Sequence, residues 1–589
     1  FWNLEEILES SEFFVPLKPK IQTLSLFGRE QKERKFPDLD VKESDSGSRS
    51  RASRDLALYI AEQVISTAPI AIFFPQAQSI SVYYKRLRDL NERGCKLPHL
   101  ASSCISDEGQ RISKLFDMHY GEGEGGNLFH NGILMGVLPH YGDLQGCLRQ
   151  VVEDELASGN FKCVICTSTL AQGVNLPIKY LVITGVRNGL EETKTRDFQN
   201  LLGRVARSGK FSEGSVLISD PSIFSSLGQR DYFRLLDGSQ TEVCVSAIAG
   251  LFEDLHVEQG DTDPIDISGS EIMNMMLEGL AHRDAFSLLE KYLISHNLTA
   301  SNAKQCIAGR AKTFAAIESY VSGMLEQQLD DVDAVRLCVN TFAYDNANDE
   351  IQDLLTRLFQ AICETLEDND HGLPVSAYSK TQMGIAKTEL LVNWLQSAEG
   401  NDFLAAEDDQ QRLFLICKAY RQYMGYGDEW LGYEALACLV GMWIQGRTLE
   451  DMCSELEPLL ERKPNNHMVE KALGKDVSYE LSNFISCIAD LLEPAFGDRT
   501  PVYLQESLLL LHEKVKFGIN TPLGCVICQE IFADQVVAKD LVEILGFPEE
   551  QTSDILHTLM IRHRNEVENY LSNLPAYFTK RYKAWISGV

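Results

Sequence analysis

Five short apolar runs, Ile70–Phe74, Ile133–Leu138, Cys163–Cys166, Leu181–Thr184 and Val216–Ile218, are unbroken by charge and separated by stretches of helical periodicity. A strand that shows one face to water alternates apolar and polar residues, whereas a strand covered on both faces reads as a continuous run. The pattern therefore predicts βαβ units over residues 56–222, an α/β layer of about five parallel strands with helices on both faces. Hydrophobic residues at 44% and charged residues at 24% of the 589 suit a folded chain of several domains and exclude disordered, collagenous and fibrous classes.

Around that layer the chain changes character. Residues 36–55 are polar, Ser-rich and basic, which reads as a flexible connector closing a first segment, 1–55. Beyond about 240 helical periodicity takes over, clearest where Ile351, Leu354, Leu355, Leu358, Phe359 and Ile362 fall on one stripe. Residues 223–330 read as a connector with a further small module, and 331–589 as a large, mostly α-helical region. Residues 1–240 carry 28 Lys/Arg against 30 Asp/Glu, so nearly all of the net charge of −31 lies in 241–589. Such acidity repels phosphate at long range and confines a nucleic-acid path to a local groove; it also suits a protein partner on the acidic helical region. No run of 18 uncharged apolar residues occurs, so no membrane partner is expected. Fifteen cysteines in a chain of this length are too sparse for a disulfide scaffold and imply a reduced intracellular setting, cytoplasmic, or nuclear in a eukaryote.

Two segments carry chemistry. CTSTLAQGVNLP spans Cys166–Pro177, and FQNLLGRVARSG spans Phe198–Gly209. The second predicts Gln199, Arg204 and Arg207 on the first turns of a helix, with both guanidinium groups aimed at one edge. Arginine forks onto phosphate oxygens through parallel hydrogen bonds, and at a γ-phosphate such a finger accelerates hydrolysis by roughly 10³–10⁵. A lone R-x-x-R is more often a solvated helix face; the companion segment is what lifts this one above it.

TSTLAQGVNLP resembles motif V, and QNLLGRVARSG motif VI, of superfamily 2 helicases in their Ski-like (superkiller-type) branch. Ala71-Ile72-Phe73-Phe74-Pro75 resembles the strand and loop of motif IV, and VLPHYGDLQGCLRQVVEDEL the stretch where that branch has H-H-x-G-L and then R-x-x-x-E. His140, Gly142 and Glu153 keep that pattern, while Pro139 stands where a first His is usual and Asp143 is inserted before Leu144. The resemblance implies a RecA-like fold for 56–222, the second motor domain of a helicase. It places Gly173, Asn175, Arg204 and Arg207 on ATP with Mg²⁺, Gln199 beside them, and Thr167, Ser168, Phe74, Pro75 and His140 on a DNA or RNA strand. Residues 4–21 resemble the end of a first motor domain, and neither a G-x-x-x-x-G-K-[ST] loop nor a D-E-x-[DH] box occurs. The chain thus reads as the C-terminal part of an ATP-dependent helicase, inactive until joined, in cis or in trans, to a first RecA-like domain. The resemblance also implies a winged-helix-like module within 223–330 and a helical ratchet within 331–589.

Weaker signals have two readings each. Trp443 is either a base-stacking tryptophan or helix–helix core. The tail around Lys580 and Arg581, interleaved with aromatics, either grips single strands or is a helix docked by its aromatic side. Cys163-x-x-Cys166 and Cys525-x-x-Cys528 are read as core, since zinc needs four convergent ligands, and no metal is assigned. A second class of function also fits: a non-catalytic scaffold that retains the fold, for example in an anti-phage complex of Hachiman type.

Overall fold

The computed structural model describes residues 49–92, 97–122, 127–171, 176–188, 191–206, 211, 213–220, 226–242, 246–259, 262–327, 333–368, 373–424, 430–546 and 553–588. Gly173, Asn175 and Arg207 lie outside the described residues, as does segment 4–21.

The apolar runs form one five-stranded parallel sheet. Its strands are β1 (Ile70–Phe73), β2 (Val137–His140), β3 (Cys163–Cys166), β4 (Tyr180–Ile183) and β5 (Ser215–Ile218), in the order β2-β3-β1-β4-β5. Ile70 pairs with Cys163 on one side and Tyr180 on the other. The first three strands are buried along their whole length, as continuous apolar runs require, whereas β5, one of the two edge strands, begins exposed. The helices that cover the sheet are α1 (Arg49–Val64), α2 (Ala77–Glu92), α3 (Ser106–Tyr120), α4 (Gly146–Ser158), α5 (Thr195–Leu202) and α6 (Ser226–Leu236). This is the α/β architecture that the runs predict.

One run is divided. Ile133 and Leu134 close a short helix, His130–Leu134, and the strand begins only at Val137. Gly136 makes the break: its φ is +80°, and a Cβ there would sit 2.4 Å from the carbonyl oxygen of Leu100. Only glycine meets both demands.

The remainder is mostly helical, as expected. Residues between Leu251 and Ile385 gather around a core of their own, to which the stripe residues Leu355, Leu358, Phe359 and Ile362 contribute. An antiparallel hairpin, β6 (Leu255–Gln259) with β7 (Thr262–Ile267), opens this part. Sequence reasoning finds no strands there, because Asp263, Pro264 and Asp266 break any β pattern. The helix that follows, α7 (Gly269–Leu280), starts from a complete capping box. Ser268 Oγ accepts from the Glu271 amide, and the Glu271 carboxylate accepts from the Ser268 amide. Ser268→Ala should cost about 1 kcal/mol, read as faster hydrogen exchange confined to the first turn of α7.

The helices from residue 377 onward share the core of the sheet itself. Three joints fasten the two parts, the first two of them buried. Tyr141, just after β2, donates to Glu470 at 2.9 Å, and Tyr120 donates to the same carboxylate from α3. Glu470 lies on α8 (Asn466–Lys471), which runs directly into a π-helix, Ala472–Leu481. His119 meets Asp534 at 3.1 Å. The last helix, α9 (Ala576–Ser587), lies on α4: the Ala576 amide donates to Glu108, and Lys580 pairs with Asp154 at 2.5 Å. No helix among the described residues is long and apolar enough to cross a membrane.

Candidate functional site

In a parallel sheet, all strand ends of one kind lie on one edge, and ligands gather at the carboxyl edge. Phe74 and Pro75 follow β1, Tyr141 follows β2, Thr167 and Ser168 follow β3, and all sit there. Backbone bonds knit them: the Phe74 amide donates to Cys166 O at 2.8 Å, and the Thr167 amide to His140 O at 3.2 Å. Gly142 comes so close to the loop after β3 that a Cβ would sit 3.0 Å from the Thr169 methyl. Thr167 and Thr169 hydroxyls are 3.2 Å apart, fixing that loop from within.

The side chains on this edge divide by access. Ser168 is exposed and Pro75 half-buried. Phe74 is buried, its ring edge-on to Tyr83 at 5.2 Å. His140 is likewise buried, with Nε2 hydrogen-bonded to Glu153 at 2.8 Å, so the His and Glu of the resembling stretch hold each other. Phe74, His140 and the nearly buried Thr167 thus shape the edge from beneath rather than present themselves to a strand. Arg149, which sequence reasoning did not single out, bonds the Gly142 carbonyl at 3.2 Å from α4 and adds a partly exposed cation to the edge.

The segment expected to hold the arginines departs from the helix predicted for it. Gln199 lies on α5, but the helix ends at Leu202, and Arg204, Val205 and Ala206 form a turn. The reason is Gly203 followed by a left-handed residue: Ala206 has a φ of +61°, a conformation costing an L-residue roughly 1–2 kcal/mol. The turn brings the Ala206 amide to Ile178 O at 2.8 Å. The end of the arginine segment is thereby tied to the residue that follows Leu176-Pro177, and the two sequence segments that carry the chemistry meet. Gln199 faces elsewhere. Its amide nitrogen donates to Leu235 O at 3.4 Å and its oxygen accepts from Thr241 at 3.3 Å, which docks α5 on the chain that follows it. Arg204 is half-buried at the turn. Ala206→Gly should raise stability by about 0.5–1 kcal/mol and Ala206→Val lower it by at least as much. Opposite shifts in the thermal midpoint would check the turn.

The distal candidates are engaged within the fold. Trp443 is buried and its indole N–H donates to Val515 O at 2.9 Å, the helix–helix reading. Arg581 Nε donates to Ile531 O at 3.2 Å, Lys580 pairs with Asp154, and Phe578 and Tyr582 are buried. The tail is a helix docked by its aromatic side. Removing 577–589 should therefore leave the salt dependence of single-strand binding unchanged, measured as the slope of affinity against salt.

No family model matches the chain. Among curated proteins, it is 35% identical over 107 residues to Hachiman protein HamB of Bacillus cereus, covering 17% of this chain and 10% of that protein. It is 31% identical over 87 residues to the antiviral helicase SKI2 of Saccharomyces cerevisiae, covering 14% and 7%. To the ATP-dependent DNA helicase Hel308 of Pyrobaculum calidifontis it is 30% identical over 105 residues, covering 17% and 14%. The chain thus spans only a small fraction of the relatives it matches. The RecA-like sheet, the joined motif segments and these likenesses agree: over part of its length, the chain is related to superfamily 2 helicases of the Ski-like branch.

Proposed function

We propose that this chain supplies the second motor lobe and accessory helical region of an ATP-dependent nucleic-acid helicase. Arg204 and Arg207 act as fingers on the γ-phosphate of ATP, which a first lobe holds with Mg²⁺; Gly173 and Asn175 line the same nucleotide. Ser168 and Pro75, on the carboxyl edge above the nearly buried Thr167, contact the backbone of a DNA or RNA strand. The observation that carries the reading is the tie between Ala206 and Ile178, which joins the arginine segment to the loop after β3. Through that loop, a change in how the nucleotide is held reaches the strand-contacting edge. Closing and opening of two lobes around ATP would then alter the spacing of two gripping surfaces and move the strand.

ATP, when bound with Mg²⁺, would supply the bond that is hydrolysed, and the ion would offset phosphate charge. This chain's own part is to place two guanidinium charges where negative charge grows, and to keep the edge rigid through His140–Glu153 and Thr167–Thr169. The test is nucleotide-dependent strand displacement on matched DNA and RNA duplexes by a polypeptide, or a reconstituted pair, that includes the first lobe. Displacement that needs hydrolysable ATP is expected. Nucleotide binding without displacement or translocation on either duplex would overturn the motor reading.

A further inference from the structure

Where the sheet meets the helical region, three potential metal ligands from three distant segments converge. His119 lies on the last turn of α3, Cys147 on the first turn of α4, and Asp534 immediately before α10 (Gln535–Leu545). A ligand atom from each lies within 4.8 Å of the other two, and all three residues are buried. We propose that this cluster is a structural zinc site that staples the helical region to the RecA-like sheet, with Cys528 as fourth ligand.

The donor set suits the ion. Zinc takes imidazole nitrogen, thiolate sulfur and carboxylate oxygen at about 2.0–2.3 Å, which places ligands about 3.3–3.8 Å apart around a tetrahedron. His119 Nε2 and Asp534 Oδ2 are already 3.1 Å apart, so this pair needs only a small side-chain adjustment. Asp534 is held for such a role, because its other oxygen, Oδ1, accepts the amides of Val536 and Val537 at 3.0 Å each and caps α10. That leaves Oδ2 directed at the cluster, with its backbone fixed.

An ion on Nε2 would leave the other imidazole nitrogen to be satisfied separately. His119 is completely buried, yet its Nδ1 has no hydrogen-bond partner among the described residues, a deficit of about 1–3 kcal/mol for a buried polar atom. Cys528, on the helix Pro522–Glu530, is a further buried thiol near Cys147 and Asp534; its sulfur stands outside the 4.8 Å group and has to swing in to complete the set. On binding, both thiols lose their protons to solvent and the ion takes their charge. Only one cysteine of the Cys525-x-x-Cys528 pair takes part: Cys525 instead lies by Ile519 O, at 4.0 Å.

The experiment uses the whole chain, purified under reducing conditions without added metal. Elemental analysis should find stoichiometric zinc. After stripping, Co²⁺ should produce the charge-transfer and d–d bands of a tetrahedral, thiolate-ligated ion. Cys147→Ser and Cys528→Ser should each reduce or abolish the bands, while Cys525→Ser should keep them. Stripping should also speed hydrogen exchange in α10. Were Cys147→Ser to prevent folding, Cys528→Ser and the wild-type Co²⁺ spectrum would still decide. A reduced wild-type chain that holds no zinc and gives no Co²⁺ bands overturns the proposal, as do bands lost only in Cys525→Ser.

Discussion

Replacing Arg204 or Arg207 by alanine, in a polypeptide that includes the nucleotide-holding lobe, is expected to lower nucleic-acid-stimulated ATP hydrolysis by about 10³–10⁵. Strand affinity should stay nearly unchanged. On the proposed function the two effects separate, because the fingers would act on charge that develops in the transition state, whereas strand affinity would reside on the carboxyl edge, at Ser168 and its neighbours. Lysine in place of either arginine should recover little, since a point charge cannot fork onto two oxygens. Steady-state turnover with and without nucleic acid, paired with strand binding at one salt concentration, is the measurement. Parent-like turnover in both variants would remove the fingers from the mechanism. Equal losses of turnover and strand affinity would mean that the turn containing Ala206 had simply collapsed.

Glu470→Gln should flatten the dependence of stability on pH. Burial pushes the Glu470 carboxyl up to about 8 from an ordinary value of 4.5, against the opposing effect of the hydrogen bonds from Tyr120 and Tyr141. Between those values the unfolded chain loses a proton that the folded chain keeps. Stability is therefore fully present below the ordinary value and declines as pH rises, until the folded carboxyl ionises near 8. The shift corresponds to a penalty on the order of 3–5 kcal/mol. Glutamine keeps the shape and an acceptor for the tyrosines but has nothing to titrate. Urea unfolding midpoints at pH 5.5 and 8.5, taken as about one unit above the ordinary carboxyl value and just past the raised one, should converge in the variant relative to the parent. Glu155 and Glu318, each also raised by burial to about 8, will keep some of the slope in both proteins. Identical slopes would show that Glu470 ionises without penalty and that the joint is looser than its geometry.

The sheet was legible because burial on both faces writes itself into consecutive residues. The stripe from Ile351 to Ile362 was legible because helical burial repeats every three or four residues. The hairpin β6–β7 was not, since Pro264 and its acidic neighbours tolerate an edge pairing that no β pattern announces. In the candidate site, sequence spacing paired the right segments but could not tell which side chains remain accessible. His140, Gln199 and Trp443 all carry polar atoms suited to a ligand, and each has a partner within the fold: Glu153, Leu235 with Thr241, and Val515. Whether a polar atom is engaged depends on what lies across from it, which local order does not encode. The cluster of His119, Cys147 and Asp534 is the extreme case, because its members share no spacing rule and meet only through tertiary packing.

The docking of the last helix against α4 sets a clock on biosynthesis. The Ala576 amide that satisfies Glu108 lies 468 residues further along the chain. At about 5–20 residues per second, a ribosome needs roughly 20–90 s to produce one after the other. Throughout that interval the surface of α3 and α4 that the tail will cover stands without it, and the carboxylate of Asp154 waits in water for Lys580.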